Sequence, residues 1–198
     1  MRVGVLGVQG AVTEHVFAFN NAFSDAGIAG DVITVRKKYQ LDNIDALVLP
    51  GGESSTISRL LDILDLRSKV ISEVKNGMPI MGTCAGTVLL ASCGDESVEH
   101  SDTHLLELLD VSVIRNAFGR QRESFECFLD IDGLNEPFPG VFIRAPVMNL
   151  LPNSRAKVIA RYDGKIVGVE QEHILSFSFH PELTDDTRMH RYFLEKIF

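Results

Sequence analysis

The first half of the chain alternates short apolar runs with amphipathic stretches. Arg2–Leu6 (R-V-G-V-L), Asp31–Val35 (D-V-I-T-V) and Ala46–Leu49 (A-L-V-L) have the length and β-branched content of buried strands, and a fourth begins at Pro79 and ends at Cys84. Between them, Glu14 to about Ala26 carries apolar residues at helical spacing and closes on Gly27. Leucines and isoleucines recur at the same spacing over Ile57–Lys75, with a break near Asp65, and Ala85–Ala91 reads as a helix. This alternation predicts an α/β fold, a mainly parallel sheet flanked by helices on both faces.

The second half is richer in strand-like runs: Val111–Arg115, Phe125–Ile131, Val141–Arg144, Lys157–Tyr162, Ile166–Glu170 and Ile174–Phe179. Asp163-Gly164 between two of them is a hairpin signal, so extra antiparallel strands are expected here. A last helix is predicted over Thr187–Ile197. Residues 94–104 (G-D-E-S-V-E-H-S-D-T-H) are polar and acidic and read as an exposed loop. There is no internal repeat, low-complexity tract or linker, and 198 residues suit a single domain spanning 1–198.

Composition narrows the function classes. A hydrophobic content of 45% and a charged content of 23% are those of an ordinary globular chain, and a net charge of −8 argues against a phosphate-backbone binder. No apolar run approaches the length that spans a bilayer. The opening M-R-V-G-V-L-G-V-Q-G lacks the apolar core and cleavage site of a signal peptide. Cys84, Cys93 and Cys127 are odd in number and form no C-x-x-C pair, which favours reduced thiols and a cytoplasmic location.

The chemistry concentrates in three segments. In P-I-M-G-T-C-A-G-T, a strand runs into G-x-C-x-G and then a helix, the layout of a nucleophile elbow. Gly82 and Gly86 relieve a sharp turn, the helix N-terminus favours a Cys84 thiolate, and the Ala85 N–H is placed for an oxyanion. In S-F-S-F-H-P-E-L-T, His180 ends a strand as a candidate base, and Glu182 lies two residues on as its orienter. In L-V-L-P-G-G-E-S-S-T, Gly51-Gly52 can aim an N–H into a site, making Gly52 a second oxyanion donor. Each segment has a plainer reading alone: a buried structural cysteine, a histidine capping a strand, a turn with a Ser/Thr helix cap.

Together, P-G-G-E-S, G-T-C-A-G and F-H-P-E-L-T resemble the class I glutamine amidotransferases, whose fold is flavodoxin-like. More narrowly, G-V-L-G-V-Q-G-A-V-T-E-H (4–15), R-N-A-F-G-R-Q (115–121) and F-I-R-A-P (142–146) are similar to the family of glutaminase subunits of pyridoxal phosphate synthase. The resemblance runs from Gly4 to Phe193. It implies Cys84 as nucleophile, His180 as base and Glu182 as orienter in a Cys-His-Glu triad that hydrolyses L-glutamine through a thioester. It implies that Gly51, Gly52, Glu53, Arg115, Ile143 and Arg144 hold the glutamine, and that Gln9 couples the site to the partner. That partner would be the synthase (lyase) subunit, which receives the ammonia; neither metal nor organic cofactor is implied. The family usually has threonine where Ser55 stands, and the 93–107 stretch lacks the short apolar, glycine-rich passage expected there.

Other features weigh less. His100 and His104, four apart with Glu96 and Glu99 nearby, suggest a metal only weakly, and a solvated loop is the preferred reading. Cys93 and Cys127 have no base signature and read as structural. His15 reads as packed or capping, His173 and His190 take no role, and Arg36-Lys37-Lys38 is a solvated face or part of a partner surface. Two rival functions are a cysteine peptidase or chaperone with its thiol on a similar elbow, and a catalytically dead amidotransferase-like regulator. The first needs neither the G-G-E loop nor Arg115, and the intact triad speaks against the second.

Overall fold

The computed structural model describes residues 1–119 and 124–196. The first half runs β1 (Arg2–Leu6), α1 (Val12–Ala26), β2 (Asp31–Val35), β3 (Ala46–Leu49), α2 (Ser54–Ile63), α3 (Arg67–Lys75), β4 (Ile80–Thr83) and α4 (Ala85–Leu90). It continues with β5 (Ala91–Gly94), α5 (Glu96–Glu99), β6 (Leu109–Ile114), β7 (Phe125–Leu129), β8 (Phe138–Phe142), β9 (Val147–Leu150), β10 (Lys157–Tyr162), β11 (Lys165–Gln171), β12 (Ile174–Phe177) and α6 (Arg188–Glu195).

The main sheet has the order β2-β1-β3-β4-β12-β11-β9-β6-β5, with β10 paired to β11. From β2 to β12 all pairings are parallel. That order is the 2-1-3-4-5 of doubly wound proteins, with β12 returning from the far end of the chain to take the fifth place. Beyond β12 the β12–β11, β11–β9 and β9–β6 pairings are antiparallel, the edge pairing β6–β5 is parallel, and β7–β8 form a separate antiparallel pair. The fold is therefore α/β with antiparallel additions in the second half, as the sequence pattern predicts.

Strands β3, β4 and β12 are buried at every position, because helices cover both faces of a parallel sheet. Phe19 and Phe23 of α1 and Met189 and Phe193 of α6 pack with Val3, Val5 and Val48 on one side. Ile57 and Leu61 of α2, Val70 and Val74 of α3 and Val88 and Leu89 of α4 pack with Leu6, Leu47 and Leu49 on the other. Gly27 (φ 64°) closes α1, and Asp65 (φ 53°) separates α2 from α3. Asp163 and Gly164, both at positive φ, make the β10–β11 hairpin.

Five expectations change. β8 begins at Phe138 rather than Val141, since Pro139 is tolerated in a two-stranded pair where it breaks a strand pattern in the sequence. β9 has no counterpart in the sequence reading, because Pro146 and Pro152 flank it. Ala91 starts β5 instead of ending a helix. Residues 94–104 are not wholly an exposed loop: Asp95 caps the short α5 through the Val98 N–H, and Val98 is buried. The last helix ends at Glu195 among the described residues, and Ile197 lies outside them.

Candidate active site

At the carboxyl edge of the parallel strands, β1 leads to Gln9, β3 to Gly51-Gly52-Glu53, β4 to Cys84 and β12 to His180. β1 and β3 are neighbours whose connections leave to opposite faces, the switch point where α/β sheets open a crevice. A cleft of about 470 Å³ lies there. Of the residues singled out from the sequence, Gln9, Gly51, Gly52, Glu53, Cys84, Ala85, Arg115, Ile143, Arg144 and His180 line it, while Glu182 is buried behind His180.

Cys84 occupies a conformation that L residues rarely adopt (φ 49°, ψ −101°). The surroundings hold it there. Its N–H donates to the Phe177 carbonyl of β12 at 2.8 Å, and its carbonyl accepts from Val88. The turn also needs its glycines, for a Cβ on Gly86 would fall 2.1 Å from the Leu49 carbonyl oxygen. Strain of this kind persists where the chain is over-determined, and it lifts the thiol out of the strand-to-helix corner. Sγ lies 3.7 Å from the Ile143 carbonyl oxygen, which it meets as a weak donor.

His180 is fixed by its N–H bond to the Val141 carbonyl at 2.8 Å, and Pro181 opens a short 3-10 turn (Pro181–Leu183) that brings Glu182 back. His180 Nδ1 and Glu182 Oε1 are 2.7 Å apart. Burial opposes a charge on this imidazole, but the Cys84 hydrogen bond and then Glu182 outweigh it and raise its pKa to about 10. An imidazolium beside a thiol is the partner that a thiolate requires. Burial likewise opposes the Glu182 carboxylate, while the hydrogen bond and charge of His180 hold its pKa below the usual range.

The opposite wall carries charge. Arg115 Nη2 sits 2.8 Å from Glu53 Oε1. Glu53 Oε2 accepts from Ser55 Oγ at 2.5 Å and from the Thr56 N–H at 2.8 Å, capping α2. Burial would raise the Glu53 pKa, but those hydrogen bonds, with Arg115, depress it to about 2. The G-G-E segment is thus a helix cap and a wall of the cleft at once. Gln9 Oε1 accepts the Glu53 N–H at 2.9 Å. The Gly51 carbonyl accepts the Ala11 N–H at 2.9 Å, and a Cβ on Gly51 would meet His180 Cε1 at 2.3 Å, so only glycine fits. Arg144 (φ 49°) donates through Nε to Asn116 Oδ1 at 3.3 Å.

Sequence reasoning missed Asn116, Glu14 and Leu183, which also line the cleft; Asn116 was within reach, being the second residue of R-N-A-F-G. It missed His15 and Thr83 too: His15 is wholly buried, with Nε2 3.0 Å from Thr83 Oγ1 and 3.5 Å from Glu182 Oε2. Arg120 and Gln121 of the 115–121 motif lie outside the described residues. Cys93 is exposed on edge strand β5, not packed in a core as a structural role implies, and Cys127 is half-buried. His104 pairs with Asp62 at 3.2 Å, and no group of three or more His, Cys, Asp or Glu among the described residues is arranged to hold a metal ion. Arg36 donates to the Gly7 carbonyl and Lys38 pairs with Asp65, so these two cations of the 36–38 run have partners within the chain. No helix among the described residues is long and apolar enough to cross a membrane.

Comparison with known proteins adds three findings. The model of the SNO glutamine amidotransferase family matches residues 5–198. The chain is 53% identical over 196 residues to a pyridoxal 5'-phosphate synthase subunit PdxT of Thermococcus onnurineus, covering 99% of this chain and 98% of that one, and 48% identical to its namesake in Methanococcoides burtonii, covering both chains fully. A solved glutamine amidotransferase superposes with a TM-score of 0.85 at 43% identity, over 98% of each chain.

Proposed function

The chain belongs to the SNO glutamine amidotransferase family, and on that premise we propose that this glutaminase works through Cys84, His180 and Glu182 and hands its ammonia to the synthase subunit of a pyridoxal phosphate synthase. The observation that carries the triad is the meeting of a strained Cys84 with His180, itself 2.7 Å from Glu182, in a cleft whose other wall is the Glu53–Arg115 pair.

Cys84 Sγ attacks the side-chain amide carbon of glutamine, forming a C–S bond and pushing the carbonyl electrons onto oxygen. The Ala85 and Gly52 N–H groups receive that oxyanion. The C–N bond then breaks, and the leaving nitrogen takes the proton of the His180 imidazolium and departs as ammonia. A γ-glutamyl thioester remains. His180, now neutral, takes a proton from water, whose oxygen attacks the thioester; the C–S bond breaks, and glutamate leaves. Glu182 keeps the proton-carrying ring in its orientation throughout. Glu53 meets the α-ammonium of glutamine and Arg115 its α-carboxylate, with the Gly51 and Gly52 loop and the backbone of Ile143 and Arg144 closing around the substrate. No step calls for a metal or an organic cofactor.

Control sits at the Gly51-Gly52 peptide. Glycine on both sides lets it rotate at little steric cost, and its carbonyl is held by Ala11, just beyond Gln9. A synthase subunit seated over Gln9 sets which face of the peptide meets the oxyanion. One oxyanion donor is worth about 2.7–4 kcal/mol, so the isolated chain is expected to hydrolyse glutamine on the order of a hundred- to a thousandfold more slowly than the complex. Glutamine turnover measured with and without the synthase subunit tests this. Stimulation in kcat exceeding any fall in KM, and blunted by Gln9→Ala, is the expected result; equal rates for chain and complex would remove the coupling.

A further inference from the structure

Only one oxygen of the Glu182 carboxylate is used by His180. The other, Oε2, lies 3.5 Å from Nε2 of His15, in the first turn of α1. The same Nε2 is 3.0 Å from Oγ1 of Thr83, the residue before Cys84. Thr83 Oγ1 in turn accepts the Gly51 N–H at 3.0 Å. One buried imidazole therefore touches the acidic end of the triad and, through a single hydroxyl, the glycine loop on the other side of the cleft.

We infer that His15 is a positioning residue for this site: as a neutral ring with its hydrogen on Nε2, it braces Glu182 Oε2 and Thr83 Oγ1 together, and so fixes the triad carboxylate and the Gly51-Gly52 loop in one frame. The inference rests on the triad reading above. The tautomer follows from the acceptors. With its hydrogen on Nε2 the ring donates to Thr83 Oγ1 and faces Glu182 Oε2, a buried carboxylate oxygen 3.5 Å away that has no hydrogen-bond partner among the described residues, whereas the other tautomer would turn a lone pair on that oxygen and bury an Nδ1–H that has no partner there. Glu182, His180, Glu14 and His190 are the titratable groups around the ring, and desolvation dominates them, keeping it neutral.

His190 shows what a merely packed histidine looks like in the same core. It too is wholly buried, 4.7 Å from the Phe19 ring and 5.6 Å from His15, and neither of its nitrogens has a hydrogen-bond partner among the described residues. His15 differs in having one nitrogen where two functional segments meet.

The test uses the full chain with its synthase subunit for glutamine turnover, and the full chain for the pH profile of Cys84 alkylation by iodoacetamide. His15→Met keeps the volume and removes the donor; His15→Gln returns an N–H near the Nε2 position. For Met we expect kcat lower by up to about tenfold, the loss of the neutral hydrogen bond to Thr83 together with the close approach to Oε2, with little change in KM. The alkylation midpoint should also move up, because an unbraced Glu182 supports the imidazolium, and hence the thiolate, less well. Gln should recover most of both. Thr83→Val, nearly isosteric and at home in a strand, cuts only the loop side: kcat should fall while the alkylation midpoint stays. Met and Gln variants equally impaired, or a His15→Met enzyme with wild-type kcat and midpoint, would overturn the inference. If His15→Met does not fold, full activity in Thr83→Val overturns it instead. A Cys84→Ala control separates the two layers: hydrolysis surviving in it defeats the triad reading itself, while a dead control beside an unaffected His15→Met defeats only the role of His15.

Discussion

On one side of the cleft Cys84, His180 and Glu182 are 7%, 7% and 6% exposed; the Cys84 N–H is bonded to β12, the His180 N–H to β8 of the separate antiparallel pair, and the His180 ring to Glu182. On the other side the Glu53 side chain is 36% exposed, Arg144 is open to solvent, and Gln9 is half-buried on a connection that follows β1. The first wall is held by backbone bonds to β12 of the main sheet and to β8 of the antiparallel pair. The second is carried by loops and by an ion pair whose arginine side chain is 14% exposed and whose glutamate is 36% exposed. On the reading proposed above, the triad belongs to the more buried wall, while recognition, control and the Gly52 oxyanion donor belong to the more open one.

The comparison breaks most sharply at the sulfur. Cys84→Ala should lower glutamine turnover by at least about a thousandfold, while the thermal melt barely moves, since a single buried sulfur in a glycine-lined corner leaves little void. Steady-state turnover beside a melting curve checks both; near wild-type activity would pass the role to another residue. Within the same wall, His180→Asn should cost more than Glu182→Gln, because the orienter does not itself carry the proton. Turnover of the double variant should fall short of the summed losses, as expected for groups that act as a unit.

The more open wall should answer differently. Arg115→Ala removes the pairing for an α-carboxylate and frees Glu53, so KM should rise by about ten- to a hundredfold with a smaller change in kcat. Initial rates against glutamine concentration separate the two parameters. An equal fall in kcat with unchanged KM would place Arg115 on the chemical side of the comparison.

The distinction between the walls follows a line that the sequence makes only partly visible. The strands β1, β3 and β4 and the elbow at Cys84 are legible because their signals are local: unbroken apolar runs, a glycine on either side of one thiol, a proline fixing the turn after His180. The antiparallel half is less legible, since Pro139, Pro146 and Pro152 mask β8 and β9, which sit where a proline costs little. The bonds between distant segments could not be read at all. Arg115 and Glu53 are 62 residues apart and His15 and Thr83 are 68 apart, and nothing in either local pattern points to the other. Resemblance to a family named Glu53 and Arg115 as substrate residues; it did not reveal that they pair with each other.

The smallest expected effect is on stability. The His180 pKa is raised to about 10, so its stabilisation is fully present below the ordinary histidine value near 6.5 and is lost as pH rises through 10. Melting temperature should therefore decline between neutral pH and pH 10 more steeply in the wild type than in Cys84→Ala, which lacks one of the two bonds that raise the pKa. Parallel curves for the two proteins would mean that the thiol and the imidazole are not coupled.

The most direct measurement sets the three thiols against one another. Cys93 is exposed and Cys127 half-buried, whereas Cys84 is 7% exposed, so a reagent guided by access alone would modify Cys93 first. A diazo-ketone analogue of glutamine, followed by peptide mapping, should label Cys84 alone, with glutamine itself protecting it, because only that thiol has both an imidazolium and a substrate cleft beside it. Labelling that follows exposure, with Cys93 modified as fast as Cys84 or faster, would contradict the account.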